Sequence, residues 1–210
     1  MRITKSITVM TLATLAAGGI AACSGTNMNS AQHGSIQLQL TDAPFSGDSV
    51  QSVNVFVVRV DARMAAADSA AADSATAGDS ASTGGWTTLA TPNDTVNLLA
   101  YQNGNTLPLG TATLPVGNYA GFRLVIDPSQ SSVVLKDGTV LTGTSTPGIM
   151  FPSAARTGIN INLSAPIAIA ANDTTAMLID FRVDSSFVMR GNTIARNGLL
   201  FKPVIQGKAN

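Results

Sequence analysis

The 210-residue chain carries 12 Lys+Arg and 12 Asp+Glu, a formal charge of zero, with 45% hydrophobic residues, one Cys and one His. That balance excludes a basic protein that tracks nucleic-acid phosphates, and the single Cys and His exclude a disulfide framework or a Cys/His zinc site. All 12 acidic residues are Asp and none is Glu; the missing helix former, beside abundant Thr, Val, Ile, Gly and Asn, points to strands and turns.

Arg2 and Lys5 precede an apolar run, Ile7–Gly18, so residues 1–22 read as an export signal. The run is shorter than the roughly 20 apolar residues a permanent span requires. Ile20-Ala21-Ala22-Cys23 resembles the lipobox of bacterial lipoproteins, which implies cleavage before Cys23 and acylation there. Several acyl chains on Cys23 would hold the chain to a membrane, where one alone is marginal. Lipidation would also remove an unpaired thiol from an oxidising compartment. Ser24 resembles lipoproteins forwarded to the outer membrane of an organism that has one. Without the leader, 10 basic and 12 acidic residues leave a net of −2.

Residues 23–34, which include His33, are polar, lack periodicity and read as a flexible tether. Alternation begins at Ser35: Ile36, Leu38 and Leu40 share one face, with Gln37, Gln39 and Thr41 opposite, as in a half-buried strand. Thr41-Asp42-Ala43-Pro44 breaks it. Val50–Asp61 is the next strand, and its doubled Val57-Val58 implies burial on both faces or a bulge. Residues 64–85 are nearly all Ala, Asp, Ser, Thr and Gly, with Asp-Ser at 68, 73 and 79. The spacing gives no face to bury, so this reads as a disordered, solvated insertion between strands.

Short strands follow at Trp86–Ala90, Thr95–Tyr101, Thr106–Leu114, Tyr119–Asp127 and Ser132–Lys136. Asp137-Gly138 is a tight hairpin signal into Thr139–Gly143. Gly158–Ala165, Ile167–Ala170, Thr175–Asp184, Ser186–Arg190 and Leu199–Gln206 complete the set. The reading is all-β: one antiparallel sandwich over residues 35–208, with little or no helix outside the signal.

The segments IQLQLTDAP, VNVFVVRVDA, GGW, NLLAYQNG, LGTATLPVGNYAGFRLVID, TGININL, LIDFRVDSSFV and LLFKPVI, in that order, resemble the DUF4382 family. The resemblance implies a prokaryotic envelope lipoprotein with a β-sandwich of unassigned function, and it supplies no catalytic residues. PVGNYAGFRL is also similar to a strand opening in transthyretin-like and carbohydrate-module-like sandwiches, which bears on architecture alone.

Chemistry is sparse. His33, in the tether, has nothing to orient it beside a nucleophile. Asp180 and Asp184 would share a strand face, with Arg182 between them as an outward ion-paired row rather than a hydrolytic carboxylate pair. Asp42, Asp48 and Asn172-Asp173 carry oxygen ligands of the kind calcium takes, but lone turn residues of this sort cap local backbone. Gly117 and Gly121 lack the context of a phosphate loop. No catalytic residue, metal or other cofactor is therefore expected.

Trp86, Tyr101 and Tyr119 are the rings available to stack on a sugar, each with a core or corner role as its alternative. Tyr119, alternating with Arg123 opposite Phe122, Leu124 and Ile126, could anchor a turn through its hydroxyl. Asp42 and Arg123 are the charges expected to be partly buried, in a structural ion pair. The function expected is a non-catalytic envelope lipoprotein, held to the membrane through Cys23, that binds a surface polysaccharide or an envelope protein but no nucleic acid. A surface spacer without a ligand and a carboxylate glycosidase are the alternatives.

Overall fold

A computed structural model describes residues 32–43, 49–66 and 85–209. The signal, Cys23, Ser24, Pro44, Asp48 and the insertion from 67 to 84 lie outside the described residues.

Two sheets share one core. The first has the order β10-β15-β12-β1-β5, built from β1 (His33–Thr41), β5 (Leu107–Pro115), β10 (Asn162–Leu163), β12 (Thr174–Phe181) and β15 (Ile205–Ala209). The second is organised on two long strands, β2 (Val50–Met64) and β6 (Gly117–Leu135). Along the free side of β2 lie β3 (Thr87–Ala90) and β4 (Asp94–Asn97). Along the free side of β6 lie β7 (Val140–Thr142), β9 (Ile159–Asn160) and β11 (Ile167–Ile169). A third sheet, β13 (Phe187–Met189), β14 (Leu199–Phe201) and β8 (Ile149–Met150), joins the core through Phe201, whose ring lies 6.1 Å from that of Phe181 and 4.9 Å from that of Phe187.

The chain is mostly β, with several packed sheets and no closed barrel. Alternation explains the core directly. Ile36, Leu38 and Leu40 of β1 and Met177, Ile179 and Phe181 of β12 are fully buried, against Val53, Val55, Val57, Phe122, Leu124 and Ile126 of the opposite sheet. Burying such side chains contributes roughly 1.5–3 kcal/mol each relative to exposure. Pairing direction is the part alternation leaves open. β1 runs parallel to β12, β10 to β15 and β14 to β8, so the sandwich is mixed at those seams and antiparallel elsewhere.

Three irregularities reshape the long pair, and the first two position the surface described below. The register of β2 on β6 shifts between Val57 and Arg59, leaving Val58 as the extra residue that the doubled valine signalled. Core residues therefore change from odd (Val53, Val55, Val57) to even (Val60, Ala62), and Arg59, Asp61 and Arg63 turn to the outer face. A second shift passes over Ala120, since Met64 pairs with Tyr119 and Arg63 with Gly121. Tyr119 consequently shares the core face with Phe122, at a ring separation of 6.4 Å, instead of lying with Arg123 as strict alternation places it.

The third irregularity is at Pro128. Asp127 and Ser132 span five steps of β6 against two of β2. Side chains bridge the gap: Ser131 Oγ accepts from the Phe56 amide at 3.0 Å and donates to the Asp127 carbonyl at 2.7 Å. The two strands expected at Tyr119–Asp127 and Ser132–Lys136 are thus one bulged strand.

Other boundaries shift for local reasons. The expected strand Thr95–Tyr101 is β4 followed by a 3-10 turn, Leu98–Tyr101, capped by Asn97 Oδ1 on the Leu99 amide. Gly158–Ala165 divides into β9 and β10, which pair in different sheets. His33 belongs to β1, opposite Pro115, with its carbonyl accepting from the Asn172 amide at 2.9 Å, although its side chain is exposed as a tether residue's would be. Met64 completes β2 and the Ala65 amide bonds the Asn118 carbonyl, so the start of the 64–85 segment is built into the sheet.

Candidate functional site

The outer face of β2, β6 and β3 carries a compact polar cluster. Asp61 is in register with Arg123 on one side and Thr88 on the other. Its carboxylate is 1% exposed and accepts from Arg123 Nε at 2.7 Å, from Arg59 Nε at 3.1 Å and from Thr88 Oγ1 at 2.9 Å. Three donors compensate for the desolvation of a carboxylate at that burial. Arg123 is partly buried, 17% exposed in its side chain, as expected. Its acid is Asp61, however, which the sequence reading did not single out. The signal was available in Arg59-Val60-Asp61-Ala62-Arg63, once the doubled valine is taken as a change of face.

Trp86 lies beside this network, half-buried and outside the apolar core. Arg123 Cζ sits 4.5 Å and Arg63 Cζ 4.9 Å from its ring centroid. Such cation–π contacts contribute about 0.5–1 kcal/mol each at exposed sites. Two glycines make room for them. A Cβ at Gly121 would come within 3.3 Å of both Arg63 Cβ and the Trp86 ring, and one at Gly158, where φ is +130°, within 2.5 Å of Arg123 Cδ.

The other two candidate rings are placed differently. Tyr119 is 2% exposed and its hydroxyl donates to the Pro115 carbonyl at 3.1 Å, which is the turn-anchoring role expected as its alternative. Burial pushes its phenol up to about 12. Tyr101 packs against the core from the end of the 3-10 turn, and its carbonyl accepts from the Thr41 hydroxyl at 2.9 Å and from the Asp42 amide. The structure does not assemble the three rings into one platform, since Trp86 faces outward from the sheet whose inner face holds Tyr119.

Of the remaining acids, Asp42, Asp180 and Asp184 lie close enough to repel one another. Asp42 is 3% exposed; its Oδ1 accepts from the Val183 amide and its Oδ2 from Gln102 Nε2, both at 2.9 Å. Burial raises its pKa to about 6, against the opposing effect of these two bonds, with Asp180 and Asp184 adding repulsion. Burial of Asp42 is thus as expected, but its partners are neutral donors. Asp180 and Asp184 do not share a strand face. β12 ends at Phe181, the Arg182 amide bonds the Val204 carbonyl, and Val183–Ser186 forms a helical turn that carries Asp184 away. Arg182 reaches Asp184 only at 3.7 Å.

Asp180 instead enters an open groove of about 560 Å³ on the outer face of the first sheet, with Thr41, Asn162, Leu178, Gln206 and Lys208. Its Oδ1 is buried without a hydrogen-bond partner, and burial raises its pKa. Asp173 Oδ1 caps the neighbouring Thr174 amide at 2.7 Å. Among the described residues no group of three or more His, Cys or Asp could hold a metal ion.

Neither the curated proteins nor the solved structures yield a match to this chain. The family model of DUF4382, a domain of unknown function, matches residues 33–203, from the first residue of β1 to just beyond β14. The chain therefore belongs to the DUF4382 family.

Proposed function

We propose that this chain is a lipid-anchored protein of the cell envelope whose sandwich is a non-catalytic binding module for a surface polysaccharide. The observation that carries the reading is the position of Trp86. Of the three candidate rings it alone stays out of the core, held by two guanidiniums on an open sheet face. An indole flanked by two guanidiniums sets apolar contact beside fixed hydrogen-bond donors, a pairing that suits the C–H groups and hydroxyls of a sugar. Support for attachment comes from the lipobox-like segment ending at Cys23, with Ser24 favouring the outer membrane where one exists. The glycosidase alternative rests on an Asp180/Asp184 strand row, and β12 ends before Asp184.

Attachment is tested by growing cells on labelled palmitate. The full chain should take up label, and Cys23→Ser should abolish it. Label retained in Cys23→Ser would contradict anchoring at that residue. Binding is tested by retention of the full chain on immobilised envelope polysaccharide. Retention of an envelope protein in its place would shift the reading to an assembly role.

A further inference from the structure

We propose that the Arg59–Asp61–Arg63–Trp86–Arg123 face is an anion site that takes the carboxylates of an acidic polysaccharide, a polyuronate. The proposal rests on the glycan-binding reading above and adds the class of glycan.

Charge is the first argument. Three guanidiniums meet one carboxylate here, and that carboxylate is already occupied by Arg59, Arg123 and Thr88. Both arginines reach Asp61 through Nε, and among the described residues their terminal nitrogens make no hydrogen bond. The outer end of the Arg59 guanidinium, 35% exposed in its side chain, is therefore open to a second acceptor, and that of Arg123, at 17%, less so. Arg63 is exposed and forms no ion pair among the described residues; its charge rests on Trp86 alone. Since Arg63 and Arg123 lie 4.9 and 4.5 Å from the same ring centroid, the two charges are at most 9.4 Å apart. Asp61 neutralises only one of the three guanidiniums, so the face keeps a net positive charge that favours an added anion.

Rigidity is the second argument. Asp61, buried between β6 and β3, fixes two of the forks, and Gly121 and Gly158 let the arginine stems lie close to the backbone. A guanidinium pre-oriented in this way loses less freedom on gripping a carboxylate with paired hydrogen bonds. Shape selects a polymer over a single headgroup. Arg59 and Arg63 project from alternate positions of one extended strand, about 13 Å apart along it, with Arg123 beside them on the next strand. Such a row suits a chain that bears repeated charges.

The test is binding of the purified full chain to polygalacturonate oligomers and to neutral glucan oligomers of equal length, at about 50 and about 500 mM salt. Arg63→Glu is the probing variant, because Arg63 is exposed and unpaired by any acid among the described residues. Lys202→Glu supplies the same charge change on a distant exposed residue. The expected result is binding of polygalacturonate that high salt weakens and that Arg63→Glu weakens at least about tenfold, with Lys202→Glu within about twofold of the parent.

Polygalacturonate binding unmoved by Arg63→Glu, or lost equally in Lys202→Glu, overturns the site. Binding of the neutral glucan as tightly as the acidic one overturns the anion claim and leaves the glycan reading standing. Retention of neither overturns both. Capture by anionic phospholipid vesicles with no glycan binding overturns the proposal in favour of a lipid surface.

Discussion

Arg123 donates its Nε–H to Asp61 at 2.7 Å, and the two residues are register partners across β2 and β6. With Thr88 on the far side of Asp61 they form a cross-strand row that ties three strands together on the face opposite the core. Removing the acid leaves Arg123, 17% exposed, without its counter-charge. Asp61→Ala is expected to lose about 3 kcal/mol in urea unfolding. Asp61→Ala with Arg123→Ala should lose less than the sum of the two single changes, since the second truncation removes the stranded charge. Additive losses would show that the pair is not coupled.

Gly158 sits at φ +130°, a conformation that side chains rarely adopt, with Arg123 Cδ where a Cβ would go. Gly158→Ala should therefore cost roughly 1–3 kcal/mol and displace Arg123 from Trp86. Loss of indole fluorescence polarisation accompanying the drop in stability is the readout. An alanine variant of parental stability would contradict the packing described.

Asp42 gives the fold a pH dependence. Its carboxyl holds a proton up to about 6 when folded and only to about 3.8 when unfolded. Between those values the folded state binds more protons, so stability falls as pH rises through the window and levels off above it. The span is worth up to about 3 kcal/mol. Asp42→Asn keeps the acceptor for the Val183 amide and cannot ionise, so the slope between pH 4 and 6 should shrink. A slope of unchanged size would place the titrating group elsewhere.

Tyr119→Phe removes the hydroxyl that donates to Pro115 and leaves the ring in the core. The expected cost is about 1 kcal/mol in urea unfolding, with glycan retention unaffected. Retention lost with stability intact would return Tyr119 to the binding surface.

These residues show what a sequence can and cannot disclose here. The β1 core face was legible because alternation over Ile36, Leu38 and Leu40 is strict. The hairpin was legible because Asp137-Gly138 carries its own turn chemistry: Gly138 has φ +88° and Asp137 Oδ1 caps the Thr139 amide. Val57-Val58 left burial on both faces or a bulge open, and the register shift there shows the bulge.

The Ala120 bulge had no such mark, so Tyr119 was assigned to the wrong face. The sequence separates two strands at residues 128–131, whose polar side chains satisfy one another's backbone as turn residues do, whereas in the fold they bridge a gap within one strand. Asp184 could not be separated from Asp180 by pattern, since the helical turn that moves it begins at the Val183 amide, held by Asp42 from far along the chain. The candidate site follows the same logic. Trp86 was visible as a residue, but its setting between Arg63 and Arg123 depends on two bulges that change which side chains share a face.

The central claim is that the outer sheet face around Trp86 binds an envelope glycan, and it is tested most directly by retention of the full chain on immobilised polysaccharide from its own host. Starting the chain at residue 35 would remove the first two residues of β1 and is best avoided. Saturable retention is expected, reduced at least about tenfold by Trp86→Ala while urea unfolding shows that the variant still folds. No retention, or retention that Trp86→Ala leaves unchanged, would contradict the claim.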